Sequence, residues 1–392
     1  MFAVLSVGRK VSAVLAALFA LVFLSACEVT LPSGGGGPSI NPSAPVPVAL
    51  LVPRGSGKST DATLAQSLEN AARLAIAELD GVAIDLRVYA TAGNPQTAAA
   101  VAVQAVNDGA KIILGPVYAG NANAAGVAVS GRNVNVLAFS NNPDIAGGNV
   151  FILGNLFQNS ANRLVQFAAR QGKGNILVVH GTDAAETAGA EAIKRAIASS
   201  SATLAGVVGF ELSQNGIISA MPAISRQVRA TGAQSVFMTS GTSGALPFLA
   251  GLLPENGVTP AEKQFIGLQR WDIPANALSL PGLQGGWFAL PDTGLSTQFA
   301  ARYQAAYGSP PHSIAGLAYD GIAAIGALVK AGNTDALTAS ALTTGSGFIG
   351  VNGIFRLRPD GTNQRGLAVA QIQNNQVVIV DPAPRSFGGA GF

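Results

Sequence analysis

The feature that most constrains this chain is an alternation sustained along most of its length: short apolar runs take turns with longer stretches of helical spacing. The first run, Val48-Ala49-Leu50-Leu51-Val52, has no polar position. A strand with that character must be buried on both faces, as in a parallel sheet covered by helices. Residues 64–79 follow, with Leu64, Leu68, Ala71, Ala75 and Leu79 on one helical face. Strands are expected at 84–89, 111–114, 134–140 and 150–153, with helices at 95–106 and 121–132. A second series begins with a helix at 160–171. It continues with strands at 175–180, 204–210, 235–239 and 264–268, separated by helices at 185–198, 217–231 and 244–253. Beyond a strand at 286–290 come helices at 296–307, 314–331 and 335–343. Strands at 353–357, 366–373 and 376–380 close the chain, and Asn374-Asn375 is a hairpin-turn signal between the last two. Strands alternating with helices argue for βαβ units, and two successive series argue for two lobes.

The N-terminus has a different character. Arg9-Lys10 precede an apolar stretch at 11–23, and Leu24-Ser25-Ala26-Cys27 follow. Charge, apolar run and small residues in that order make a secretory signal, and the run is too short and wrongly flanked for a membrane-spanning helix. Cys27 is the only cysteine, so no intrachain disulfide can form. The LSAC sequence resembles the lipobox of bacterial lipoproteins. That resemblance implies cleavage before Cys27, acylation of its thiol by chains such as palmitate, and attachment to a membrane. The other reading is an ordinary signal peptide with a cysteine at the cut site. Residues 1–26 are thus expected to be a signal peptide and 27–46, rich in Gly, Pro and Ser, a tether. A flexible coil of about twenty residues spans only ~25 Å, so the body stays near its membrane. Removal of Arg9 and Lys10 from the 23 basic residues leaves 21 against 20 acidic ones. That balance gives no electrostatic footprint for nucleic acid.

Motifs for catalysis fail on inspection. Pro53-Arg54-Gly55-Ser56-Gly57-Lys58-Ser59-Thr60 looks like a phosphate loop, but the pattern GxxxxGK[ST] would need glycine at Val52. Ser240-Gly241-Thr242-Ser243-Gly244 does not match GxSxG. His180 and His312 are the only histidines, and no ligand spacing for a metal accompanies them. No enzyme activity, metal or cofactor is therefore expected. Ligands of open α/β sheets bind beyond the carboxyl ends of strands, which directs attention to the loops after Val52, Leu114, Leu137 and Val179. The candidate cleft residues are Arg54, Tyr118, Ser140, Asn141, His180 and Asp183. Arg270 and Trp271, in the most polar-aromatic cluster of the second series, join them. His180 reads better as a hydrogen-bonded structural residue than as a cleft residue, and Arg270-Trp271-Asp272 could equally hold a structural salt bridge.

Four stretches then carry a family resemblance: KIILGP at 111–116, NVLAFSNNPD at 135–144, LAYDGIAAI at 317–325, and GFIGVNGIFRLRPDGTNQRGLAVAQIQNNQVV at 347–378. From about Pro47 to Pro382 the chain resembles type 1 periplasmic binding proteins of the branched-chain amino-acid receptor group. The resemblance implies an α/β fold of two Rossmann-like lobes with a hinge and an interlobe cleft. The expected division is 47–152 with 283–333 in one lobe, 153–282 with 334–384 in the other, and a flexible tail at 385–392. The receptors' ligand-binding serine corresponds here to Ala119. Their DxxYG-like segment reads Asp183-Ala184-Ala185-Glu186-Thr187-Ala188-Gly189, without tyrosine. The chain also resembles the penicillin-binding-protein activators, lipoproteins of this fold held at the outer membrane. They would imply binding and activation of a peptidoglycan synthase, with a small molecule or muropeptide as a further ligand. The alternative is a solute-binding lipoprotein of an ABC importer for an amino acid or related small molecule.

Overall fold

The computed structural model describes residues 36–388. Cys27, the signal segment and residues 27–35 of the expected tether lie outside the described residues. The first lobe opens with β1 (Val46–Val52), α1 (Ser59–Ala77), β2 (Ile84–Ala90), α2 (Pro95–Asn107), β3 (Ile112–Leu114), α3 (Ala119–Val129), β4 (Asn135–Ala138) and β5 (Val150–Ile152). The five strands form a parallel sheet in the order β2-β1-β3-β4-β5. Alternate residues of β1 serve opposite layers, as strand geometry requires. Val48, Leu50 and Val52 pack on the α1 side with Leu64, Leu68 and Ala71. Ala49 and Leu51 face the alanines of α2 and α3.

The second lobe follows with α4 (Phe157–Arg170), β6 (Asn175–Gly181), α5 (Ala184–Ala198), β7 (Thr203–Phe210), α6 (Gln214–Thr231), β8 (Ser235–Met238), α7 (Leu246–Glu255), β9 (Gln264–Gly267) and β10 (Trp287–Leu290). The chain then re-enters the first lobe as α8 (Thr293–Tyr307), α9 (Gly316–Lys330) and α10 (Ala339–Leu342). It adds the small antiparallel sheet β11 (Phe348–Gly350), β12 (Gly353–Leu357) and β13 (Asn363–Arg365). Finally β14 (Ala368–Gln373) and β15 (Gln376–Asp381) complete the second sheet, whose order is β15-β14-β10-β9-β8-β6-β7. Asn374 and Asn375 have φ of 51° and 63°, the paired positive values that a two-residue type I′ hairpin needs. The chain thus passes between lobes after β5, after β10 and after β13.

Two boundaries differ from the sequence expectation. Residues 283–290 were expected in the first lobe, yet β10 pairs with β9 and β14. Phe288 faces one core of the second lobe and Trp287 and Ala289 face the other; a strand apolar on both faces belongs inside a sheet. Residues 334–357 were expected in the second lobe. Instead Leu337, Leu342, Phe348 and Phe355 join the core of the first lobe beside α9. The expected helix at 335–343 shortens to α10, and β11 and β13 are additional strands.

The tether and tail also end sooner than expected. Ile40 is buried and donates its backbone N–H to Thr334 O at 2.9 Å. Asn133 Nδ2 donates to Gly37 O at 2.7 Å. Residues 36–46 are therefore part of the folded lobe. At the other end, the guanidinium of Arg356 lies 4.5 Å from the Phe387 ring centre, which ties part of 385–392 to the body.

Trp271 is fully buried and rests against Phe288. Its ring fits because two glycines lie beneath it. A Cβ on Gly267 would come within 2.1 Å of Nε1, and one on Gly286 within 2.3 Å of Cζ3. Gly267→Ala should therefore destabilise the protein by about 1–3 kcal/mol, the usual cost of overpacking. Urea unfolding monitored by tryptophan fluorescence checks this; an unchanged midpoint would show that the ring is not confined.

Candidate ligand cleft

The cleft is assembled where strands of both lobes end. A cavity of about 300 Å³ lies against the interlobe crossings. The loop after β4 gives it Asn141, and the crossing after β5 gives Asn155 together with Phe157 and Ser160 at the start of α4. The loop after β9 gives Gln269, Arg270 and Ile273. The crossing after β10 contributes Pro291, and the approach to α9 contributes Ser313 and Ile314. Asn352, Arg365 and Leu367 close the hinge side. An adjoining recess shares Asn141, Asn155 and Ile314 and extends into the first lobe past Tyr118 and Ser140. A larger cavity of about 490 Å³ lies across α4, α5 and the loop before β13. The first satisfies the rule that open α/β sheets bind ligands beyond strand carboxyl ends, whereas the larger one takes α4 and α5 residues but no strand-end loop from the second lobe.

The hinge wall is held by one buried ion pair. Arg365 Nη1 donates to Asp320 Oδ2 at 3.0 Å, while its Nε and Nη2 both donate to Leu153 O. Asp320, on α9, also accepts from Val351 N at 2.7 Å and from Asn352 Nδ2 at 3.2 Å. Asp320 is 0% exposed and Arg365 6%. The guanidinium is further covered by Phe355, 4.9 Å from the ring centre. Beside it, Asn363 Nδ2 donates to Ile152 O and Gly154 O, and Asn159 Nδ2 donates to Asn363 Oδ1. These bonds bind the end of β5, the crossing after it and the start of α4 to β13.

The loop after β9 forms the opposite wall. Gln269 Nε2 donates to Thr239 O at 2.9 Å, and Thr242 Oγ1 donates to Ile273 O at 2.6 Å. The loop therefore lies over the end of β8, so Ser240 is buried beneath it. Arg270 projects into the cavity, with Nε and Nη2 paired to the two oxygens of Asp272 at 2.8 and 2.5 Å.

The other sequence candidates fall into two groups. Tyr118, Ser140 and Asn141 border the recess. The Tyr118 hydroxyl donates to Asp61 Oδ1, and this bond pushes its pKa up to about 12. Ser140 Oγ accepts from Asn142 N at 3.1 Å. Arg54, His180, Asp183 and Trp271 border neither cavity. Arg54 is paired with Glu69 at 2.7 Å. His180 Nδ1–H donates to Gly181 O at 2.7 Å. Asp183 caps α5, accepting from Ala185 N and Glu186 N. Trp271, expected at the cleft, belongs instead to the hydrophobic core, because Gly267 and Gly286 leave room for its ring beneath the sheet end.

Sequence reasoning missed three groups. Gln269 carries no motif, and Arg365 lies within the family-like stretch 347–378 with nothing to single it out; only the strand ends and crossings bring them to the cavity. Glu186 stands three residues after the cap Asp183, the spacing of a capping box. Its carboxylate is buried and accepts from Gly181 N, Thr239 Oγ1 and Ser240 Oγ, so it ties the ends of β6 and β8 together.

Residues 45–376 match the periplasmic binding protein family, and the chain belongs to it. No curated protein sequence matches the chain. Among solved structures it is similar to one from Rhodospirillum rubrum assigned to branched-chain amino acid ABC transport, at TM-score 0.73 and 17% identity over 86% of this chain and 100% of that one. An ABC transporter substrate-binding protein from Desulfitobacterium hafniense, in complex with Leu, is similar at TM-score 0.63 and 16% identity, over 86% and 100% of the two chains. A solute-binding protein of an ABC transporter from Rhodopseudomonas palustris, in complex with 3,4-dihydroxybenzoic acid, follows at TM-score 0.57 and 16% identity, over 87% and 97%. At these identities the likeness is one of fold.

Removing one member of the hinge pair would leave a buried charge alone. Asp320→Ala is expected to cost about 3–5 kcal/mol of stability. A combined Asp320→Leu and Arg365→Met replacement should recover much of that loss. Denaturant titration of the three proteins measures both; a single variant as stable as wild type would refute the role given to the pair.

Proposed function

We propose that this protein is the solute-binding component of an ABC importer and captures a small molecule between its lobes. The observation that carries the reading is the roughly 300 Å³ cavity at the strand ends, bordered by residues of both lobes and by their crossings. Such a site closes when the lobes rotate about their connecting segments. Membership of the periplasmic binding protein family supports a periplasmic location. Among the described residues no helix is long and apolar enough to cross a membrane. A lipid on Cys27, as the lipobox-like sequence implies, would keep the receptor at a membrane surface beside its permease.

The relatives favour transport over synthase activation, since the similar structures are those of ABC transporter proteins. The cavity supports the same preference. An activator needs an outer face, whereas this chain keeps polar groups converging on an internal space. The absence of a tyrosine in the segment at 183–189 and the alanine at 119 therefore bear on which ligand is held rather than on whether one is held.

Protein purified without denaturation is expected to carry a small molecule that unfolding releases and mass spectrometry detects. Restoring that molecule to refolded protein at 100 times its Kd should add about 2.7 kcal/mol of stability, seen as a raised melting temperature. No retained molecule and no stabilising periplasmic solute, together with capture of a penicillin-binding protein by the lipidated chain, would replace this reading with the activator one.

A further inference from the structure

We infer that the ligand is a compact organic anion with an apolar body and no ammonium group. This rests on the solute-binding reading and specifies what that site accepts. Among the described residues bordering the cavity and its recess there is no aspartate or glutamate. The charged side chains that do border it are two guanidiniums, Arg270 and Arg365. Each is held by a carboxylate set back from the cavity, Asp272 and Asp320 respectively.

The geometry leaves donors to spare. A guanidinium has five N–H groups. Arg365 uses three of them, on Leu153 O and Asp320. Arg270 uses Nε and Nη2 on Asp272, so its Nη1 group is uncommitted among the described residues. Ligand oxygens can therefore be met by charge-assisted N–H donors, the strong kind of hydrogen bond. An ammonium would find only uncharged amide and hydroxyl oxygens, because the two carboxylates set back from the cavity are already occupied by guanidiniums. Burying an ammonium without a counter-charge is disfavoured. Phe157, Leu268, Ile273, Leu290, Ile314 and Leu317 supply apolar wall for the rest of the molecule. The cavity of about 300 Å³ and its recess of about 410 Å³ lie within the range of small-molecule sites, which suits a small ligand.

The test is calorimetry on ligand-free, refolded protein with matched pairs that differ by the ammonium alone: isocaproate against leucine, and hydrocinnamate against phenylalanine. The acid of a pair should bind about tenfold or more tightly than its amino acid, a difference of at least about 1.4 kcal/mol. In the variant Arg270→Gln/Asp272→Asn, which removes the pair without changing net charge, that preference should shrink. Circular dichroism checks that this variant is folded. Any small molecule retained through purification should be an acid without an amine. Equal or tighter binding of the amino acids, or a retained molecule bearing an amine, would overturn the ligand class and leave the receptor reading standing. No binding by any probe and no retained molecule would remove the receptor reading, and this inference with it.

Discussion

The ion pair between Asp320 and Arg365 is the constraint on which the rest of this structure depends. It joins a helix of the first lobe to the end of β13, and the same guanidinium grips Leu153 O in the crossing after β5. A buried ion pair is not in itself a source of stability, because desolvating both charges offsets much of their attraction. What the pair supplies here is position. Five hydrogen bonds, its own included, link four separated stretches of chain at Leu153, Asp320, Val351-Asn352 and Arg365, and few alternative packings could satisfy a buried carboxylate and a buried guanidinium together. The crossings can then act as a defined hinge instead of a loose linker.

The same arginine forms part of the cavity wall, so hinge and cleft share a residue. Its charge is neutralised by Asp320, which does not border the cavity, and two of its five N–H groups are uncommitted among the described residues. Arg270 repeats the arrangement across the space, with Asp272 behind it. The loop that carries Arg270 is itself fixed, by Gln269 and Thr242 above the end of β8 and by Trp271 sunk between glycines below. The residue beside Arg270 that looked like a ligand contact is therefore the anchor that holds Arg270 in place.

Much of the architecture was legible in the sequence because strand and helix periods are local. The run at Val48–Val52, the alternation through both lobes and the hairpin at Asn374-Asn375 all correspond to elements of the structure. Lobe membership was harder. β10 and the stretch after α9 have patterns compatible with either lobe, and strand pairing between distant segments decides the matter. At the cleft, the strand-end rule led to Tyr118, Ser140 and Asn141 but not to Gln269 or Arg365. Their surroundings come from residues far along the chain, as with Arg365 and Leu153. For Trp271 the deciding signal was steric, and it lay in Gly267 and Gly286 instead of in the tryptophan.

A crystal structure of the protein with its retained ligand tests the central claim most directly. The lobes are expected to close on a molecule beside Asn141 and Gln269, with its acidic oxygens on the free N–H groups of Arg270 and Arg365 and its apolar part toward Phe157 and Leu317. A ligand seated in the larger cavity near Glu191 and Asp360, or lobes joined as they are here around an unchanged, empty cleft, would contradict it.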